Sequence, residues 1–137
     1  MTNLQHLRLR DSACHGDVSG FSDMYAALTY INLGYTRVTG NVASWSRLTS
    51  IRIVQLYGSR VSGDISSWSA MINIGYLNVG ATSVSGDVSG FSSMTQATTL
   101  AFENSRVFGD ISGFSAVTQI RYLDIQRTRL GGDISSW

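Results

Sequence analysis

Apolar residues return at fixed offsets along this chain. The frame is set by Gly16, Gly40, Gly63, Gly86, Gly109 and Gly132, whose spacings are 24, 23, 23, 23 and 23. Twelve residues before each glycine stand Leu4, Leu28, Ile51, Ile74, Ala97 and Ile120; nine before, Leu7, Ile31, Val54, Leu77, Leu100 and Leu123. Seven before come Leu9, Leu33, Leu56, Val79, Phe102 and Ile125, and two before, Cys14, Val38, Val61, Val84, Val107 and Leu130. Beyond the glycine, Val18, Val42, Ile65, Val88, Ile111 and Ile134 lie at plus two, and Phe21, Trp45, Trp68, Phe91, Phe114 and Trp137 at plus five. Met24, Leu48, Met71, Met94 and Val117 close the coil at plus eight. Self-similarity at a fixed period marks a repeat protein whose coils bury one another's apolar faces. The L-x-x-L-x-L stretch alternates with period two and predicts a short strand, and the glycine predicts a turn that residues with a Cβ adopt poorly. The extra residue of the first spacing falls in Tyr25-Ala26-Ala27, predicted to be a convex bulge between coils one and two.

Six registered copies of L-x-x-L-x-L-x-x-T-x-V-x-G-D-I, from residue 4 to residue 137, resemble the leucine-rich repeat, most closely its plant-type subclass, which reads L-x-x-L-x-L-x-x-N-x-L-x-G-x-I-P. Two positions depart from that pattern. The asparagine is replaced by Ser12, Thr36, Ser59, Thr82, Ser105 and Thr128, and the proline by Ser19, Ala43, Ser66, Ser89, Ser112 and Ser135. Hydroxyls donate and accept, so a ladder with fewer bonds per rung is expected. The resemblance implies a mostly-β solenoid of the α/β leucine-rich-repeat type: a right-handed superhelix with a concave parallel sheet, one short strand per coil, and loops or 3₁₀ turns on the convex side. In coil five, small Ala97 and large Phe102 are expected to compensate each other's volume within one core layer.

Composition changes this picture little. A chain of 137 residues with 43% hydrophobic and 14% charged content fits one folded domain rather than a disordered segment, so residues 1–137 are expected to form a single solenoid. Neither end carries the polar capping coil that solenoids need, which predicts a fragment of a longer array or a unit that stacks end to end. Single Cys14 excludes an internal disulfide and is expected to be core packing in a slot otherwise filled by valine or leucine. The N-terminal residues alternate polar and apolar without the continuous apolar core of a signal peptide, and no apolar run approaches the ~18 residues of a membrane-spanning helix.

Charge adds more. All ten basic residues are arginine. The coil frame predicts that Arg8, Arg10, Arg37, Arg52, Arg60, Arg106, Arg121, Arg127 and Arg129 face the concave side against only Asp11, Glu103 and Asp124, with Arg47 convex. Arginines three before the glycine, Arg37, Arg60, Arg106 and Arg129, are expected to sit near one another on adjacent coils and to favour an anionic partner; the alternative is that each lies along its sheet and pairs locally. Tyr30, Tyr35, Tyr57, Tyr76 and Tyr122 share these variable positions, and Asn32, Gln55 and Asn78 form a column of amides. Tyr57 is flanked in its column by Gly34 and Gly80, predicting a slot on either side of its ring. Tyrosine and arginine dominate interface energetics.

These residues point to a non-catalytic module that binds a protein or peptide, acidic in character, on a face comprising Arg8, Arg10, Tyr30, Asn32, Tyr35, Arg37, Gln55, Tyr57, Arg60, Tyr76, Asn78, Arg106, Tyr122, Arg127 and Arg129. A polyanionic glycan or other surface carbohydrate, or a structural or surface-coat role through end-to-end stacking, are the alternatives. The row Asp17, Asp64, Asp87, Asp110 and Asp133, interrupted by Asn41, is expected to accept turn amides, with a calcium ladder as the competing reading. His6 and His15 have no recognised zinc spacing, and Cys14 and His15 are neighbours on an extended segment whose side chains point to opposite faces. No triad, paired-carboxylate or phosphate-loop signature is present; His6 and Glu103 are the best enzymatic candidates, with nothing in the sequence linking them. The Arg and Tyr mixture could serve nucleic acid, but the lack of lysine and of a known motif argues against it. No cofactor is implied.

Overall fold

The computed structural model describes residues 3–24 and 27–137, so Tyr25 and Ala26 of the bulge expected at Tyr25-Ala26-Ala27 lie outside the described residues. Each coil contributes two strands. Coil one carries β1 (His6–Arg8) and β2 (His15–Asp17), coil two β3 (Tyr30–Asn32) and β4 (Arg37–Asn41), and coil three β5 (Ile53–Gln55) and β6 (Arg60–Asp64). Coil four carries β7 (Tyr76–Asn78) and β8 (Ser83–Asp87), coil five β9 (Thr99–Ala101) and β10 (Arg106–Asp110), and coil six β11 (Tyr122–Asp124) and β12 (Arg129–Gly131). The odd-numbered strands form one six-stranded sheet and the even-numbered strands a second, with every pairing parallel. The convex side is built from 3₁₀ turns at Ser19–Met24, Ala43–Arg47, Ser66–Ala70, Ser89–Ser93 and Ser112–Ala116. The expected parallel sheet with one short strand per coil is the first of these, and the second sheet stands in addition to it.

The two strands are separated by a tight left-handed turn at the position five before the coil glycine. Asp11, Tyr35, Gly58, Ala81, Asn104 and Arg127 all have φ between 50° and 68° there, a region that non-glycine residues enter only when their surroundings hold them in it. Hydroxyls next to this row do the holding. Ser12, Thr36, Thr82, Ser105 and Thr128 each donate to the carbonyl three residues back at 2.6 Å. The hydroxyls thus close the turn of their own coil and do not run from coil to coil. Ser59 departs from the row, its buried hydroxyl having no partner.

The core follows the apolar offsets read from the sequence. Leu28, Ile51, Ile74 and Ala97, Ile31, Val54, Leu77 and Leu100, and Val42, Ile65 and Val88 are all fully buried. Phe21, Trp45 and Trp68 stack along the convex layer, with centroids 5.8 and 6.1 Å apart and planes within 5° and 2°. In coil five Ala97 and Phe102 are both fully buried, and Phe102 lies 6.0 Å from the Phe91 ring of the coil before. Cys14 is partly buried, as are Leu4, Leu7 and Leu9 of the same coil. No helix among the described residues is long and apolar enough to cross a membrane.

Contacts between coils run along the edge where the aspartates stand. Asp64 Oδ1 accepts from the Ser66 amide at 2.8 Å and the Ser66 hydroxyl at 2.6 Å, and that hydroxyl accepts from the Asp87 amide of the next coil at 2.7 Å. The unit repeats through Asp87, Ser89 and the Asp110 amide, so the serines that replace proline bridge neighbouring coils. In coil two, Asn41 Oδ1 accepts from the Ala43 amide, keeping the turn without the charge. Among the described residues no group of three or more His, Cys, Asp or Glu side chains is placed to hold a metal ion.

These bonds, the serine hydroxyl's first, hold Asp17, Asp64, Asp87, Asp110 and Asp133 below the usual carboxylate range. A depressed folded pKa contributes stability that is present above the unfolded value and lost as pH falls through the folded one. The thermal midpoint is therefore expected to fall as pH drops below about 4, as read by calorimetry from pH 7 to pH 2. Asp87→Asn, which copies coil two, should flatten that acid limb; an unchanged limb would remove the assignment.

Candidate ligand-binding groove

The outer face of the first sheet is made of two columns. His6, Tyr30, Ile53, Tyr76, Thr99 and Tyr122 align in one, and Arg8, Asn32, Gln55, Asn78, Ala101 and Asp124 in the other. Period two places them outward while Leu7, Ile31, Val54, Leu77, Leu100 and Leu123 point into the core. Beside these columns, in the turn, runs the row Arg10, Gly34, Tyr57, Gly80, Glu103 and Gln126. Between columns and turn lies a groove of about 280 Å³, lined by Arg10, Asn32, Gly34, Tyr35, Gln55, Tyr57, Tyr76, Asn78 and Glu103.

Local bonds fix the groove's walls. Asn32 and Asn78 each accept from the amide two residues on, at Gly34 and Gly80, and Asn32 also donates to Gln55. The Tyr35 and Tyr57 rings meet edge to face at 5.3 Å. Gly58 completes this corner, since a Cβ there would stand 3.2 Å from the Tyr35 ring. Arg10 lies over Tyr35, 5.5 Å from its centroid, and its Nε donates to Asp11 at 3.0 Å. Arg8 lies over Tyr30 at 4.6 Å. The aromatic faces thus hold the arginine heads in place.

Of the residues expected to form one binding face, Arg10, Asn32, Tyr35, Gln55, Tyr57, Tyr76 and Asn78 line the groove. Arg8, Tyr30 and Tyr122 share its sheet without lining it. Arg127 sits in the left-handed turn of coil six. The minus-three arginines are elsewhere: Arg37, Arg60, Arg106 and Arg129 open the strands of the second sheet and are exposed on its outer face. They do not sit opposite one another either. The second sheet slips by two residues per coil, pairing Arg60 with Thr39, Arg106 with Ser85 and Arg129 with Phe108. The strongly basic concave face is therefore corrected: with these four on the other sheet, five arginines remain on that side against three acids.

The slots beside Tyr57 also differ from expectation. The Gly34 side is open and forms part of the groove. The Gly80 side is filled, because the Glu103 carboxylate lies directly on the glycine, where a Cβ would come within 2.5 Å of both its oxygens. Burial pushes the Glu103 carboxyl above its usual range. Gly34 and Glu103 are the lining residues that the sequence-based site omits; for Glu103, its place in one column with Gly34, Tyr57 and Gly80 is the signal that identifies it. His6 and Glu103 stand four strands apart, about 19 Å at ~4.8 Å per strand, and do not form a common site.

Two parallel sheets joined by a hydroxyl-closed turn, with 3₁₀ turns behind and a groove in front, define this chain as a leucine-rich-repeat solenoid with the fold of the plant-type subclass. Solved structures similar to it include plant receptors. One is the plant peptide hormone receptor RGFR1 in complex with RGF2, with a TM-score of 0.82 at 20% identity over 93% of this chain and 21% of that one. Another is the leucine-rich-repeat ectodomain of the membrane receptor kinase GASSHO1/SCHENGEN3 from Arabidopsis thaliana in complex with CASPARIAN STRIP INTEGRITY FACTOR 2, at 0.85 and 16% over 98% and 17%. The ectodomain of the receptor kinase SOBIR1 from Arabidopsis thaliana gives 0.80 and 20% over 92% and 72%. The chain spans about a fifth of the length of the first two. No protein-family model and no curated protein sequence matches it.

Proposed function

We propose that this chain is a non-catalytic binding module that takes an extended peptide segment of a partner across the first sheet. The observation that carries the reading is the groove itself: three tyrosines, Tyr35, Tyr57 and Tyr76, and three amides, Asn32, Gln55 and Asn78, converge on one depression. Tyrosine rings offer large rigid contact area, and amides offer hydrogen bonds to a passing backbone. The likeness to the RGFR1 and GASSHO1/SCHENGEN3 complexes supports it.

The test is selection of binders from a displayed library of random twelve-residue peptides, followed by affinity measurement against variants. Tyr57→Ala is expected to weaken the selected peptides by about 30-fold or more, the ~2 kcal/mol of an interface hot spot. Arg60→Ala, on the second sheet, is expected to leave them within about twofold. Peptides indifferent to Tyr57→Ala but lost with Arg60→Ala would move the binding surface to the other sheet and overturn the groove assignment.

A further inference from the structure

We infer that the end of the groove at coils three to five accepts a cationic side chain, an arginine or lysine of the bound segment, on Glu103. This rests on the peptide-binding reading and adds the chemistry of the ligand, which is opposite in sign to what the abundance of arginine suggests.

Two charged side chains line the groove, Arg10 at one end and Glu103 at the other. They are not in the same state. Arg10 is already engaged, its Nε bonded to Asp11 and its guanidinium over Tyr35. Glu103 is not: its Oε2 is shielded from water and accepts no hydrogen bond. A shielded carboxylate oxygen without a donor is unfavourable, and it is stabilised most by an approaching cation that also donates. Burial is the first cause of the raised Glu103 pKa and the neighbouring Asp124 charge adds to it, so local negative potential is in excess there. Asp124 itself is engaged by the Gln126 amide and the Tyr122 hydroxyl.

The position is shaped for such a guest. Gly80 lets the Glu103 carboxylate lie directly on the turn of coil four, and any side chain there would displace it. The Tyr57 and Tyr76 rings line the same groove, and aromatic faces attract an ammonium or guanidinium. No arginine from the second sheet competes, since that sheet turns Arg60 and Arg106 outward on its own face.

The probes are three blocked tripeptides, Ac-Ala-Arg-Ala-NH2, its lysine analogue and its citrulline analogue, the last matching arginine in shape without the charge. Titrations followed through the ring protons of Tyr57 and Tyr76 are expected to show saturable shifts with arginine and lysine, and at least about tenfold weaker binding with citrulline, the ~1.4 kcal/mol that separates the charged from the neutral guest. Glu103→Gln, nearly isosteric, should erase that preference while keeping the melting temperature at or above that of the parent. Equal binding of arginine and citrulline tripeptides to the unmodified protein, or no saturable shift with either cation, overturns the inference without need of the variant. Library peptides that depend on Tyr57 but show no charge preference would leave the groove as a peptide site and remove only its cation specificity.

Discussion

Gly86→Ala is expected to destabilise the fold by roughly 3 kcal/mol or more, the sum of a backbone conformation that costs a side-chain-bearing residue about 1–3 kcal/mol and a collision with the coil before. Gly86 has φ +127°, and a Cβ would stand 2.4 Å from Asp64 Oδ1, 2.8 Å from Ser66 Oγ and 2.9 Å from the Ile65 nitrogen. Asp64 cannot retreat without releasing Ser66, which holds the Asp87 amide. The strain is therefore coupled to the bridge between coils three and four. A drop in melting temperature of about 10 °C is expected, taking a few degrees per kcal/mol for a chain of this size. Gly20→Ala is the control, since a Cβ there meets nothing within 4 Å, and it should stay within about 0.5 kcal/mol. Urea midpoints decide it; a Gly86→Ala effect below about 1 kcal/mol would mean that the coils slide to accept the methyl.

The same glycine explains why the second sheet is hard to read from sequence. Its strand in coil two runs Arg37-Val-Thr-Gly-Asn41, with one apolar residue, a glycine and polar outward positions, a pattern without the repeated apolar alternation that marks a strand. What makes it a strand is the neighbour: each such segment lies parallel to another of the same kind, and stacking supplies the ladder that local preference does not. The first sheet is legible because Leu, Ile and Val mark its inward positions in every coil. Arg37, Arg60, Arg106 and Arg129 are misplaced by sequence reasoning for the same reason, because the left-handed turn at Tyr35 and its equivalents redirects the chain between the sheets and leaves no trace in hydrophobic period. Arg127 and Tyr35 show how weakly composition signals that turn, since neither is a residue type that favours positive φ. Within the groove, the tyrosines and amides follow from column position alone. The Glu103 contact with Gly80 does not, because it depends on where a flexible side chain comes to rest.

Trp68→Ala is expected to cost about 4 kcal/mol, in the middle of the range for loss of a buried aromatic, and Trp68→Phe only about 1–2 kcal/mol. Trp68 is fully buried, stacks on Trp45 at 6.1 Å, and donates its indole N–H to the Val42 carbonyl at 3.1 Å. Alanine removes both the ring volume and the donor, leaving a cavity between coils two and three and a carbonyl without its bond. Phenylalanine removes the donor while keeping most of the ring, and the frame already accommodates it, since Phe91 and Phe114 occupy the same position in coils four and five and are buried there. The difference between the two variants therefore separates volume from hydrogen bonding, which net about 0.5–1.5 kcal/mol for a single bond allows. If Trp68→Phe proves as costly as Trp68→Ala, the indole bond rather than the stack holds the convex layer. Trp68 lies in the 3₁₀ layer behind the core and the groove lies in front of it, so peptides that depend on Tyr57 should bind Trp68→Phe with unchanged affinity at temperatures where it is folded. A parallel loss of binding would show instead that the spacing of the tyrosines is set by the aromatic stack on the opposite side of the coil.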